Sequence, residues 1–142
     1  MTTCWVVSPM LRDTESFIRL RADVDAACAQ RSEKIRHLVI DDSAGTDTDV
    51  ARLSEFDDVE VLTPAFNLGH QRAIVFGLRE LAPRLDPDDL VVTMDSDGED
   101  QPGDVPRLLA DDGTEYRTEG IDPAGARARH RDRRRLRLLH LQ

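Results

Sequence analysis

The chain has 142 residues and a mass of 16.0 kDa, with 28 acidic and 19 basic side chains and a formal net charge of −9. This length predicts one domain with room for a hydrophobic core, and the acidic balance argues against a nucleic-acid partner. The sequence has neither an apolar run long enough to span a membrane nor a basic signal segment, and its two cysteines form no paired motif. We therefore expect a cytoplasmic protein without a transmembrane segment.

The first half of the chain alternates between strand-like and helix-like patterns. Residues 4–8 form an apolar run that Pro9 closes, which predicts a buried strand. Asp13 or Thr14 can cap a following helix, whose apolar residues share one broad face: Phe17, Ile18, Leu20, Val24, Ala27 and Cys28. Residues 37–40 predict a second strand that ends abruptly in two aspartates and a serine.

The alternation continues to about residue 110. Residues 59–62 and 90–94 predict two more strands, and helical patterns cover 47–56, 69–81 and 106–110. The inward face of the longest of these helices is predicted to carry Ala73, Ile74, Phe76, Gly77 and Leu81. Strands buried on both faces and separated by helices predict an α/β fold with a parallel sheet and flanking helices.

The last part of the chain has a different composition. Residues 1–110 carry 22 acidic and 11 basic side chains, whereas residues 111–142 carry 6 acidic and 8 basic ones, and every basic residue of this last part is arginine. We therefore predict a domain over 1–110 and an irregular, disordered, Arg-rich tail over 111–142. A phosphate-binding role for the tail and an origin in out-of-frame translation are the alternatives.

Acidic side chains follow three of the four predicted strands. In an open parallel sheet, ligands bind outside the carboxyl ends of the strands, where this sequence places Asp13, Asp42, Asp95 and Asp97. A pocket so rich in carboxylates needs a cation to hold an anionic ligand, and Mg²⁺ or Mn²⁺ suits carboxylate oxygens and bridges to phosphates. Asp95 and Asp97 can turn toward one site, although ordinary turn formation also explains such residues.

Four motifs in this order resemble a known family. They are residues 6–9 (VVSP) with Asp13, 39–43 (VIDDS), 67–69 (NLG) and 94–102 (MDSDGEDQP). Over about residues 4–110 the chain resembles the nucleotide-sugar-binding half of a family 2 glycosyltransferase, near its polyprenyl-phosphate branch, which contains dolichyl-phosphate mannosyltransferase-like enzymes. The resemblance implies a Rossmann-like GT-A fold and a nucleotide-diphosphate sugar as donor.

The same resemblance implies roles for the residues that match its motifs. Pro9 and Asp13 would lie along the nucleoside, and Asp42 would hydrogen-bond the base. Asn67 and Gly69 would lie in a loop near the nucleotide and the sugar.

The DxD motif of the family matches Asp95 and Asp97, which would engage the ribose side and a metal on the diphosphate. The implied acceptor is a lipid phosphate or a glycan, with peripheral contact at the cytoplasmic face of a membrane. Arg12 departs from the pattern, since the family often has Asn there. His70 and Arg72 open the third predicted helix; capping or packing is the simpler role for His70, and a solvated face for Arg72, although Arg72 could reach a phosphate.

The catalytic base is not identified by the sequence. In the resembled family the acceptor site and the base come from chain beyond the DxD motif, and no family motif follows Asp97 here. Acidic candidates in that region are not distinguished from one another: Asp111, Asp112, Glu115 and Glu119. We therefore expect a truncated, donor-binding chain that transfers sugar slowly, and a non-catalytic α/β nucleotide-binding or interaction module is the alternative.

Overall fold

The computed structural model describes residues 2–96, 101–110 and 137–140. In this part of the chain, five parallel strands form a sheet in the order β3-β2-β1-β4-β5. The strands are β1 (Thr3–Met10), β2 (Lys34–Asp41), β3 (Val59–Leu62), β4 (Leu90–Thr93) and β5 (Arg137–His140). The strand order reverses direction at β1, which creates a topological switch point between β1 and β4.

Helices cover both faces of this sheet, as its buried strands require. The described helices are α1 (Thr14–Ala27), α2 (His70–Leu81) and α3 (Val105–Ala110). Shorter 3-10 segments cover Thr48–Glu55, Ala82–Arg84 and Pro102–Asp104. None of these helices combines the length and the apolar character needed to cross a membrane. The predicted parallel α/β fold with flanking helices is confirmed.

Alternate residues of β1 enter two different apolar clusters, because successive side chains of a strand point to opposite faces. Val6 packs on one face with Phe17 and Val24 of α1, whereas Val7 packs on the other face with Ala73 and other residues of α2. Both cysteines are buried, in the cluster on the α1 face. Burial raises the pKa of the Cys4 thiol to about 12, which agrees with a packing role for this residue.

A glycine allows α2 to pack directly against the sheet. Gly77 is buried in α2, and a Cβ atom at this position would lie 2.6 Å from Cδ1 of Ile40 and 3.3 Å from Cγ1 of Val7. These contacts are shorter than van der Waals contact, so a side chain here would displace its neighbours. The helix therefore approaches β1 and β2 so closely that an alanine would fit only if the Ile40 and Val7 side chains shifted.

Strand β1 continues two residues further than the sequence predicts, through Pro9 to Met10. The carbonyls of Val7 and Pro9 both point toward β4, since they accept hydrogen bonds from Met94 N and Ser96 Oγ. The missing N–H of Pro9 lies on that same side, beyond Thr93, where the pairing of β4 with β1 has ended. A proline is therefore tolerated near the end of this central strand.

Two other elements differ from the predicted ones. The helix predicted over 47–56 is a 3-10 segment, Thr48–Glu55, that begins after Asp47, whose side chain accepts a hydrogen bond from Asp49 N at 3.0 Å. Arg137–His140 form β5, parallel to β4. The prediction of an irregular tail is therefore wrong for these four residues, because their backbone pairs with the open edge of β4. The rest of the tail lies outside the described residues, and the boundary at residue 110 stays a prediction.

Candidate functional site

The end of β2 is joined to the loop before α2 by the side chain of Asp42. Its Oδ1 accepts a hydrogen bond from Leu68 N at 2.7 Å and its Oδ2 accepts one from Gly69 N at 3.1 Å. Asn67 Nδ2 donates to the backbone carbonyl of Asp42 at 2.9 Å and lies 3.3 Å from its Oδ2. Asp42 is 4% exposed, so these donors replace the water that a carboxylate otherwise needs. The structure thus brings three predicted site residues, Asp42, Asn67 and Gly69, into one hydrogen-bonded loop.

Gly69 provides the backbone conformation that starts α2. Its φ of 81° and ψ of 161° lie in a region that is essentially restricted to glycine. No atom lies within 4 Å of a Cβ built at this position, so the requirement comes from the backbone and not from packing. The Gly69 carbonyl accepts a hydrogen bond from Ala73 N at 2.9 Å, which begins the helix directly after the loop that Asp42 holds.

The end of β1 is attached to the ends of both neighbouring strands. On the β2 side, Met10 O accepts a hydrogen bond from Asp42 N at 2.8 Å. On the β4 side, Pro9 O accepts one from Ser96 Oγ at 3.1 Å. Pro9 therefore helps to join β1 to the segment that follows β4, through its carbonyl.

At the end of β4, Asp95 lies beside His70. His70 Nε2 is 3.1 Å from Asp95 Oδ1, and the two side chains are 53% and 30% exposed. His70 is the first residue of α2, so the loop held by Asp42 at β2 also carries a side chain that reaches the end of β4. Sequence reasoning missed this pair, because 25 positions separate the two residues and only the strand order brings them together.

The segment after β1 carries Arg12 and Asp13. Arg12 has a φ of 53°, a left-handed conformation that is uncommon outside glycine, and its Nη2 donates to Thr46 Oγ1 at 2.5 Å. Asp13 occupies the N-cap position of α1, but its side chain makes no capping hydrogen bond. Among the described hydrogen bonds, none joins the Asp13 side chain to Asp42, Asn67 or Asp95, so the structure places it at the same sheet edge without bringing it into their network.

Comparison with known proteins adds to this geometry. The family model described as glycosyl transferase family 2 matches residues 18–118, which is well over half of the chain. The chain belongs to glycosyltransferase family 2. The matched region includes β2, α2 and β4 and the polar residues at their ends, so the resemblance found in the motifs is confirmed.

The curated relatives that this family 2 chain matches here are enzymes of the same name from different bacteria. Undecaprenyl-phosphate 4-deoxy-4-formamido-L-arabinose transferase of Klebsiella pneumoniae subsp. pneumoniae is 31% identical over 125 residues, which cover 84% of this chain and 35% of the relative. The enzyme of that name from Proteus mirabilis is 28% identical over 131 residues, which cover 89% of this chain and 37% of the relative. The chain thus spans about a third of the length of these curated relatives.

The carboxylates at the sheet edge of this family 2 chain differ in what they can bind. Asp41 is 2% exposed, and its oxygens lie 3.1 Å from Ser43 N and 3.3 Å from Thr63 Oγ1. Asp42, at 4% exposed, is also buried and holds the loop before α2. The Asp95 carboxylate is 30% exposed, and its hard oxygens are the donor type that Mg²⁺ and Mn²⁺ prefer. Asp95 therefore fits the metal role, while Asp97, the other predicted ligand, lies outside the described residues.

A second group of potential metal ligands lies under α1. Asp25, His37 and Asp58 place one donor atom each within 4.8 Å of one another. Arg21 already lies among them, since its Nη2 is 2.7 Å from Asp58 Oδ1 and 3.6 Å from Asp25 Oδ2. Because this guanidinium pairs with both carboxylates, the group is an ion-pair network that links α1 to the sheet.

Proposed function

We propose that this family 2 glycosyltransferase chain binds a nucleotide-diphosphate sugar at the carboxyl edge of its sheet, with Mg²⁺ or Mn²⁺ held by Asp95 and Asp97. We further propose that the sugar is transferred to an acceptor, a polyprenyl phosphate or a glycan. The names of the relatives support a lipid-phosphate acceptor, since those enzymes are undecaprenyl-phosphate transferases.

One observation carries the donor part of the proposal. Residues 9, 42, 67–69 and 95, which match the family motifs, meet at one sheet edge, and hydrogen bonds join β1 to β2 and β2 to the loop before α2. This edge is where parallel α/β sheets bind ligands. A pre-formed loop lowers the entropy that a ligand must offset on binding, so the Asp42 hydrogen bonds favour a nucleotide site here.

The residues take the following proposed parts. Asp42 fixes the loop and lies at the base end of the site, where the family resemblance assigns it a contact to the base. Asn67 and Gly69 border the nucleotide and the sugar, and Pro9 and Asp13 line the nucleoside. A divalent cation bound by Asp95 and Asp97 would neutralise charge that develops on the diphosphate leaving group.

Calorimetry on the 142-residue chain tests the donor site. UDP and GDP, each with and without Mn²⁺, are titrated into the wild-type chain and into Asp97→Ala. We expect binding that requires the metal and that Asp97→Ala reduces at least tenfold, because the carboxylates would otherwise repel a diphosphate. Asp88→Ala is the matched control: it removes the same charge from an exposed residue before β4, at the opposite edge of the sheet.

Two results would contradict the donor proposal. Nucleotide binding that persists in the presence of a chelator would show that the donor site does not require a metal. Failure of the wild-type chain to bind either nucleotide with Mn²⁺ would remove the donor site altogether. Far-UV circular dichroism that is unchanged in Asp97→Ala ensures that lost binding does not reflect unfolding.

Transfer is tested separately, by release of nucleoside diphosphate from a panel of sugar nucleotides with Mn²⁺ and a polyprenyl phosphate. Release that depends on the lipid phosphate would support the acceptor assignment. Binding without release would instead favour a non-catalytic nucleotide-binding module. We expect turnover below the roughly 1–10³ s⁻¹ of ordinary enzymes, because a base beside the acceptor hydroxyl contributes about 10²–10⁴-fold and the residues of this sheet edge serve the donor and the metal.

A further inference from the structure

His70 is held in place from two directions. Its backbone follows Gly69, whose N–H donates to Asp42 Oδ2 at 3.1 Å and whose carbonyl accepts the first hydrogen bond of α2. Its side chain then crosses to the end of β4, where Nε2 lies 3.1 Å from Asp95 Oδ1. Because β1 separates β2 from β4, the histidine spans the end of the central strand.

This contact restrains a side chain that is otherwise partly open to solvent. Asp95 is 30% exposed, and a carboxylate that binds a cation must adopt one orientation, which costs side-chain entropy. Carboxylates that ligate metals are commonly hydrogen-bonded by a neighbouring group that fixes their orientation, and loss of that group typically costs about 10–100-fold in affinity or activity.

We propose that His70 is a positioning residue for Asp95: Nε2–H of the imidazole donates to Oδ1 and orients the carboxylate for a cation bound with a nucleoside diphosphate. This inference rests on the proposed donor site and adds to it a residue outside the DxD motif. It also gives the Asp42 loop a second role, since the loop determines where His70 begins α2.

The first test examines the pair directly, without any ligand. Imidazole ¹⁵N NMR on the full chain identifies the His70 resonances by their loss in His70→Gln. We expect the Nε2–H tautomer in the wild-type chain and a changed Nε2 resonance in Asp95→Ala, while Gln71→Ala leaves the signal in place. A His70 resonance that is the same in wild type and Asp95→Ala would overturn the proposal whatever the chain binds.

The second test measures affinity for UDP and GDP in the presence of Mn²⁺. We expect His70→Ala to weaken metal-dependent binding about 10–100-fold. His70→Gln should stay within about threefold of wild type, because the glutamine Nε2 can donate to Asp95 in place of the imidazole. Gln71→Ala, a change at the adjacent exposed residue of α2, should match wild type, and the thermal midpoints of all variants are compared.

The outcomes separate this inference from the proposed function. Equal binding by His70→Ala and wild type would overturn the positioning role and leave the donor site intact. Equal losses in His70→Ala and His70→Gln would also overturn it, because the donor atom would then not matter. Failure of the wild-type chain to bind Mn²⁺ with either nucleotide would overturn the donor site and the positioning role together.

Discussion

Asp42 shows how a single buried side chain can organise a loop. A carboxylate that is 4% exposed is stable in the interior only when hydrogen bonds replace its water. Two backbone N–H groups, at Leu68 and Gly69, provide them. The same bonds satisfy donors that a loop at a helix start would otherwise leave unpaired.

Replacement of Asp42 by asparagine tests this arrangement. The amide oxygen can accept one of the two backbone hydrogen bonds, but the amide nitrogen would face the other N–H and leave it unpaired. We expect Asp42→Asn to lower the free energy of unfolding by about 1–3 kcal/mol, measured by urea denaturation.

Asp47→Asn is the control for that measurement. Asp47 caps the 3-10 segment through Asp49 N, and asparagine caps as well as aspartate. We expect its free energy of unfolding to remain within about 0.5 kcal/mol of wild type. Similar losses of unfolding free energy in Asp42→Asn and Asp47→Asn would show that the hydrogen bonds of Asp42 contribute no more to stability than an exposed cap.

At the scale of the elements, hydrophobic periodicity predicted the strands and helices of the first 110 residues, because burial of an apolar face determines these patterns. It did not predict that β1 passes through Pro9, since tolerance of a proline depends on where β4 stops pairing. The polar strand ends located the candidate site. The pairing of His70 with Asp95 could not be predicted from the sequence, because strand order is a property of the tertiary fold and not of local sequence.

Close packing between α2 and the sheet leads to a prediction about two residues. A Cβ on Gly77 would lie 2.6 Å from Cδ1 of Ile40, and overpacking of this kind typically costs about 1–3 kcal/mol. Alanine also gains about 1 kcal/mol of helix propensity over glycine. We expect Gly77→Ala to be destabilising overall in the wild-type background.

A double-mutant cycle isolates that steric effect. Ile40→Val deletes the Cδ1 atom, so Gly77→Ala should be tolerated better in the Ile40→Val background, with a coupling energy of about 1 kcal/mol. Urea denaturation of the two single variants and the double variant measures it. Additive effects would mean that Ile40 simply rotates away from the new methyl group.

For the whole molecule, the described apolar clusters lie between residues 4 and 109. They contain the apolar faces of β1, β2, β4 and all three helices. The ladder between β4 and β5, by contrast, pairs four residues of the chain end with Leu90–Thr93. The described clusters thus form among elements that all lie within the first 110 residues.

A chain that ends at Ala110 should consequently keep its fold. We expect its thermal midpoint to fall by at most about 8 °C, equivalent to about 1 kcal/mol, because only the β5 ladder is removed from the described structure. Differential scanning calorimetry measures the shift, and far-UV circular dichroism checks the secondary structure. An unfolded product would show that residues 111–142 contribute to the core.

The strand order also determines how long a ligand must be to occupy both ends of the proposed donor site. Asp42 and Asp95 follow β2 and β4, which lie on either side of β1, and neighbouring strands are about 4.8 Å apart. The two strand ends are therefore separated by about 10 Å, so a free base or an isolated phosphate would reach one end only. In a series of nucleoside, monophosphate and diphosphate, we expect a rise in affinity where the ligand first becomes long enough to occupy both ends at once.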